Sequence, residues 1–88
     1  MSNTVWTPAE RVVGQIWSDI LKIDDIGLHD DFFDLGGTSL ALISVVMRMS
    51  ERFGLPLETA IVTGGATIAA LASAVETKLK SAPQQEAV

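Results

Sequence analysis

The sequence contains no cysteine and only one histidine, His29. Without cysteine, the chain can form neither disulfides nor thiolate metal sites, and it has no thiol of its own. One histidine and no cysteine leave no zinc site to assemble from His and Cys ligands, and His29 is the only imidazole that could serve a catalytic serine. Because His29 lies in an acidic stretch typical of a surface loop, we interpret it as a solvated residue. The chain is therefore not expected to be an enzyme.

Long apolar runs and clusters of basic residues are also missing. No run approaches the roughly 20 residues of a membrane-spanning helix, and the start, MSNTVWTPAE, lacks the features of a signal peptide. The net charge is −5, and residues 24–34, DDIGLHDDFFD, contain five aspartates without a lysine or arginine. This charge disfavours nucleic acid and anionic membranes as partners. We expect a cytoplasmic monomer.

What is present fits one small folded domain. The chain has 88 residues, of which 48% are hydrophobic and 19% charged, a composition typical of a compact fold. Because so small a domain has a small core, most regularly spaced apolar residues must be buried. We place the folded domain at residues 7–80, between a flexible N-terminus at 1–6 and a disordered tail at 81–88.

Three signals mark the start of a first helix. Thr7 is a typical N-cap, Pro8 suits the first helical position, and Glu10 completes a capping box. This helix should end near Leu21 or Lys22. Its apolar face comprises Ala9, Val13, Ile16, Trp17 and Ile20.

A second helix is predicted from Thr38 or Ser39 to Phe53, where Gly54 and Pro56 stop it. Its core stripe comprises Leu42, Val45, Val46, Met49 and Phe53. A second apolar stripe points roughly 130° away by helical geometry. That stripe comprises Leu40, Ile43 and Met47.

The remaining segments complete an all-α fold, a small three-to-four-helix bundle with a long packed loop between helices 1 and 2. The loop spans residues 23–38, and its apolar side chains are enough to fold it back on the helices. These side chains are Ile23, Ile26, Leu28, Phe32, Phe33 and Leu35. Residues 57–63 predict at most a short helical turn, because Gly64 and Gly65 follow. A last helix begins near Thr67.

The sequence FFDLGGTSL, residues 32–40, resembles the attachment motif of carrier proteins. The Phe53–Gly54 turn and the TIAALA opening of the last helix extend this likeness over roughly residues 8–80. The chain most resembles the peptidyl carrier, or thiolation, domains of non-ribosomal peptide synthesis. Acyl carrier proteins of polyketide and fatty-acid synthesis are wider relatives. The resemblance implies a carrier bundle in which the GG-x-S-L motif precedes the second helix.

The resemblance further implies that Ser39 receives covalent 4′-phosphopantetheine from coenzyme A, added by a phosphopantetheinyl transferase that uses Mg²⁺. Gly36 and Gly37 would let this enzyme approach closely, and the positive helix end would favour a phosphodiester. Asp34 would either hydrogen-bond the loop or recruit a cationic partner. From the residues alone, the alternative is that Thr38 or Ser39 merely caps the helix.

The second stripe is interpreted as a docking surface, with Leu40 also adjoining the attachment site. Its partners would be the transferase, an adenylating or acyl-transferring loading enzyme, and a downstream condensing, tailoring or transfer enzyme. Methionine adapts well to several partner surfaces, so Met47 is the leading candidate. The alternative is that the loop covers the stripe at Leu40 and Ile43.

The sequence departs from the peptidyl pattern at Thr63 and Ala66, where such carriers usually have Phe and Pro. This departure bears on the rigidity of the third helix. Three other hypotheses stay open: an acyl carrier of polyketide or fatty-acid synthesis, an unmodified helical docking module, and, more distantly, a hydrolase built on Ser39. The second helix lacks the acidity typical of fatty-acid carriers, which favours the peptidyl type. Both a free-standing carrier and a piece of a larger synthetase fit this sequence.

Overall fold

The structure is a computed structural model that describes the backbone of residues 5–86 and the side chains of residues 5–80. It contains three α-helices, α1 (Pro8–Leu21), α2 (Ser39–Phe53) and α3 (Ile68–Glu86), and one 3₁₀ helix (Thr59–Gly64). Within this described part there is no strand, and the all-α prediction is confirmed. None of the described helices combines the length and the apolar character needed to cross a bilayer.

Helix α1 begins with the capping box that the sequence predicts. The Thr7 hydroxyl oxygen accepts a hydrogen bond from the Glu10 backbone N–H at 3.1 Å. In return, the Glu10 carboxylate accepts one from the Thr7 N–H at 2.8 Å. The helix ends at Leu21, and Lys22 caps it in the left-handed conformation. The predicted bounds of α1 are confirmed.

The core lies where α1 meets α2 and α3. Both predicted core faces are buried, except that Ile20 and Phe53 at their ends are only partly buried. Val46 is buried as well, but it lies outside the contiguous core. The loop adds Phe32, whose ring is fully buried and packs edge-to-face against Trp17 at 5.0 Å between ring centroids. Such aromatic pairs contribute about 0.5–1.5 kcal/mol beyond the burial of their area.

The long loop is packed, as predicted, and it is tied to the start of α3. The Phe32 N–H donates to the Ala66 carbonyl oxygen at 2.8 Å, and the Ala69 N–H donates to the Leu28 carbonyl oxygen at 3.0 Å. Phe33 is the exception among its apolar residues. The prediction that it helps to fold the loop inward is wrong, because its ring is 46% exposed.

After α2, the chain forms the 3₁₀ helix in place of the short turn predicted over residues 57–63. This helix has no fully buried residue and packs mainly on α3. Helix α3 then continues to Glu86, into the segment 81–88 that is predicted from the sequence to be a disordered tail. None of residues 81–86 is a glycine, the usual C-terminal stop. Residues 1–4, 87 and 88 lie outside the described part.

Candidate functional site

Ser39 is the first residue of α2, and its side chain is exposed. The preceding residue, Thr38, is the N-cap: its hydroxyl oxygen accepts a hydrogen bond from the Ala41 N–H at 3.1 Å. Of the two residues that could cap α2, the structure thus uses Thr38. The hydroxyl of Ser39 makes no hydrogen bond to any described residue, and it is free to react or to be modified.

The electrostatics of this helix start favour a phosphate on Ser39. The first turn of a helix presents N–H groups without intrahelical partners and the positive end of the helix dipole. No acidic side chain lies in the first turn of α2 to neutralise it. A phosphodiester at Ser39 would therefore sit in a favourable field, and the residues present fit the 4′-phosphopantetheine that the motif implies.

The two glycines before the helix have different structural roles. Gly36 has φ of +99°, a conformation that side-chain-bearing residues rarely adopt, and nothing lies near the position of a Cβ. Gly37 is needed for space, because a Cβ there would collide with the ring of Phe32. The Gly37 N–H also donates to the Phe32 carbonyl oxygen at 3.0 Å. Together, these residues fix the direction in which the chain enters α2.

Asp31, which sequence reasoning did not single out, holds the loop ahead of the glycines. One of its carboxylate oxygens accepts hydrogen bonds from the N–H groups of Phe33, at 3.0 Å, and Asp34, at 3.1 Å. An aspartate that bonds backbone N–H groups two and three residues on is a turn signal that could have been found. The side chain of Asp34 is exposed and makes no hydrogen bond to a described residue. His29 is also exposed in this loop.

The second apolar stripe of α2, called here the exposed stripe, is open along its whole length. Leu40 is 77% exposed, Ile43 41% and Met47 62%. The alternative that the loop buries part of this stripe is wrong, because Leu40 is the most exposed of the three. Three large apolar side chains on one helical face form a surface suited to a partner.

A cleft of about 220 Å³ opens beside Ser39, between α2 and the 3₁₀ helix. Val46, which is only 2% exposed, lines it from α2. Phe33, whose ring is turned outward, lines it from the loop. The full lining comprises Phe33, Ser39, Leu42, Ile43, Val46, Thr59 and Val62.

Comparison with known sequences identifies one family. The family model described as "Phosphopantetheine attachment site" matches residues 11–75. Tyrocidine synthase 3 of Brevibacillus parabrevis is 40% identical over 63 residues, which cover 72% of this chain and 1% of that protein. Syringomycin synthase SyrB1 of Pseudomonas syringae pv. syringae is 40% identical over 73 residues, which cover 83% of this chain and 12% of that protein. The chain therefore spans only a small part of these relatives.

Solved structures share the fold. BlmI, a type-II acyl-carrier-protein of Streptomyces verticillus involved in bleomycin biosynthesis, has a TM-score of 0.76 at 31% identity, over 81% of this chain and 86% of BlmI. A chain in the complex of the phosphopantetheine transferase Sfp with coenzyme A and a peptidyl carrier protein has a TM-score of 0.77 at 28% identity. The match covers 84% of this chain and 96% of that chain. The McyG A-PCP structure with phenylalanyl-adenylate has a TM-score of 0.73 at 34% identity, over 81% of this chain and 12% of that chain.

Proposed function

The chain belongs to the phosphopantetheine attachment site family, and on that premise we propose that Ser39 is its attachment residue. The chain is a carrier of the kind found in non-ribosomal peptide assembly lines, and its cofactor is covalent 4′-phosphopantetheine. When bound, this arm supplies the thiol that holds an acyl or aminoacyl group as a thioester. The observation that carries the proposal is the exposed, unpartnered hydroxyl of Ser39 at the first position of α2.

The residues around Ser39 each support this assignment. Thr38 satisfies the cap, so Ser39 can be esterified without loss of a helix-stabilising hydrogen bond. The unneutralised helix start favours the negative charge of the phosphodiester. Gly36 carries no side chain and nothing lies near the position of its Cβ, which leaves the backbone there open to a transferase. During transfer, the Ser39 oxygen would form the new bond to phosphorus while the phosphoanhydride bond of coenzyme A breaks. Adenosine 3′,5′-bisphosphate would leave, and a base of the transferase would accept the hydroxyl proton.

The exposed stripe is the proposed docking surface for successive partner enzymes. Transient partners require an apolar surface that is exposed in the free carrier and small enough for the partner to leave quickly. Three separate exposed side chains on one helix meet this need. The partners are a phosphopantetheinyl transferase, an adenylating or acyl-transferring loading enzyme, and a downstream condensing, tailoring or transfer enzyme. The transferase and adenylation portions of the Sfp and McyG structures support the first two.

Asp34 is proposed to face a cationic partner rather than to hold the loop. Sequence reasoning left both roles open, and Asp31 makes the hydrogen bonds that the loop requires. The exposed carboxylate of Asp34 lies five positions before Ser39, where a lysine or arginine of a docked enzyme could reach it. Rim charges of this kind act mainly on the rate of association.

We infer that the carrier performs no catalysis of its own. Ser39 has no hydrogen-bonded base among the described residues, and the single histidine is an exposed loop residue. Activation of a serine requires such a base within hydrogen-bond reach. The hydrolase alternative therefore has no support at this site.

The test of this function is loading in two stages. The carrier is first incubated with coenzyme A, Mg²⁺ and a transferase, and then with ATP, an amino acid and an adenylating enzyme of a peptide synthetase. A parallel sample receives acyl-coenzyme A and an acyltransferase of polyketide synthesis. Intact mass should rise by one aminoacyl group in the first sample. Acyl loading alone would favour the acyl-carrier alternative, and no mass change after incubation with the transferase would favour the unmodified docking module.

A further inference from the structure

The two methionines of α2 differ sharply in exposure, although only one residue separates them. Met47 is 62% exposed, whereas Met49 is 0% exposed. Successive residues of a helix are about 100° apart, so these two point in directions roughly 200° apart. The side chain of Met47 therefore lies at the surface, and that of Met49 lies in the core. Met1, the third methionine of the sequence, lies outside the described part.

An exposed methionine is open to one specific reaction, the oxidation of its thioether to the sulfoxide. Hydrogen peroxide transfers one oxygen atom to the sulfur, and its other oxygen leaves with both hydrogens as water. The oxidant must touch the sulfur, so the reaction should select Met47 over the buried Met49. Because the chain contains no cysteine, the apo-carrier has no thiol that would consume the oxidant first.

The product would change the chemistry of the exposed stripe. Met47 forms this stripe with Leu40 and Ile43, and all three side chains are apolar. The sulfoxide is polar, and its oxygen accepts hydrogen bonds. In the free carrier this oxygen stays in water, because position 47 is exposed. Against an apolar partner surface it would be buried without a hydrogen-bond donor, which is unfavourable.

The position of Met47 confines this effect to docking. Met47 lies eight positions after Ser39, roughly 12 Å further along α2 at a rise of 1.5 Å per residue. It does not line the cleft beside Ser39, and the cap of α2 is made by Thr38. Oxidation of Met47 therefore leaves the Ser39 hydroxyl exposed and the start of the helix unchanged.

We propose that Met47 is a reversible oxidation site whose sulfoxide weakens docking through the exposed stripe. The inference rests on the proposed function, because it needs the exposed stripe to be the docking surface. The reactant is a peroxide. Methionine sulfoxide reductases reverse the reaction: thiols of the reductase are oxidised to a disulfide, and the sulfoxide oxygen leaves as water. Met47 thus makes loading of the carrier sensitive to oxidant.

The experiment treats the folded apo-protein with hydrogen peroxide, removes the oxidant with catalase, and then adds coenzyme A, Mg²⁺ and a phosphopantetheinyl transferase. Intact mass counts the oxygen atoms gained, and peptide mapping assigns them to individual methionines. We expect oxygen on Met47 and none on Met49, with kcat/KM of the transfer lowered by about tenfold. The midpoint of urea unfolding should not change. The two reductases that act on the two sulfoxide epimers should together restore kcat/KM.

Met47→Leu and Met49→Leu are the matched variants, and each is compared with its own untreated sample. Peroxide should not change the kcat/KM of Met47→Leu, since leucine has no sulfur, and it should lower that of Met49→Leu as in the parent. A loss in Met47→Leu as large as in the parent would place the sensitive group elsewhere and overturn the inference. Equal oxidation of Met47 and Met49 in the folded parent would also contradict it.

The outcomes separate this inference from the proposed function. If Met47 carries the oxygen but kcat/KM is unchanged, the oxidation inference fails while attachment at Ser39 stands. If the untreated parent gains no phosphopantetheine, the proposed function fails, and the oxidation inference fails with it because no docking remains to be weakened.

Discussion

The ring of Phe32 fills the space that a side chain on Gly37 would need, and the two residues are joined by a hydrogen bond between the Gly37 N–H and the Phe32 carbonyl oxygen. Phe32 also packs against Trp17 of α1 and bonds to Ala66 before α3. One loop residue therefore connects the proposed attachment site to the other two helices. We expect the place at which α2 begins, and with it the position of Ser39, to depend on this contact.

Gly37→Ala should lower the free energy of unfolding by about 1–3 kcal/mol, because the added methyl group overpacks the site against Phe32. Urea unfolding followed by tryptophan fluorescence measures the change. In a Phe32→Leu background the same substitution should cost less, with a coupling energy above about 0.5 kcal/mol.

Gly36→Ala provides the control for that cycle. It should also destabilise the protein, but through its backbone conformation at φ +99° and not through contact with Phe32. Its effect should therefore add to that of Phe32→Leu within about 0.5 kcal/mol. If the effects of Gly37→Ala and Phe32→Leu also add, contact with the Phe32 ring does not explain why position 37 requires glycine.

Thr38→Ala should cost about 1 kcal/mol of stability, since it removes the cap of α2. Ser39→Ala should change stability by less than about 0.5 kcal/mol, because the exposed hydroxyl has no structural partner. Urea unfolding of the two variants side by side checks this contrast. A loss in Ser39→Ala as large as that in Thr38→Ala would contradict the assignment of the cap.

Met47→Glu should slow transfer of cargo to a cognate enzyme while the free energy of unfolding stays within about 0.5 kcal/mol of the parent. Met47 is 62% exposed, so the new charge remains solvated in the free carrier and is buried only on docking. Ser73→Glu adds the same charge at an exposed position of α3 and is the matched control. Transfer rates that fall equally in both variants would argue against docking through the exposed stripe.

Gly14→Ala should stabilise α1 more when Trp6 is removed than in the parent protein. Alanine exceeds glycine in helix propensity by about 1 kcal/mol, but its Cβ would lie 2.6 Å from Cζ3 of Trp6. We expect a gain of up to about 1 kcal/mol in a Trp6→Ala background and a smaller gain, or a loss, in the parent. Unfolding by urea in the four proteins gives the coupling, and identical gains in both backgrounds would exclude the Trp6 contact.

The sequence predicts the helices well because their start signals are local. Thr7, Pro8 and Glu10 define the beginning of α1 within four residues, and Gly54 defines the end of α2. The exposed stripe follows equally from helical geometry once α2 is placed. Local periodicity was enough for these features, since each depends on neighbours within one or two turns.

The loop and the cleft were harder to predict, since they depend on long-range packing. Phe32 and Phe33 are adjacent and equally apolar, but a turn held by Asp31 sends one ring inward and the other to the surface. No period in the sequence distinguishes them. The cleft requires α2 and the 3₁₀ helix to pack on different partners, which no single segment encodes. The docking and supporting roles of the site residues stay predictions.

The most direct test of Ser39 as the attachment residue is the intact mass of three proteins after incubation with coenzyme A, Mg²⁺ and a phosphopantetheinyl transferase. The parent and Thr38→Ala should each gain the mass of one phosphopantetheine, and Ser39→Ala should gain none. An addition to Ser39→Ala, or no addition to a parent protein that is shown to be folded, would contradict the account.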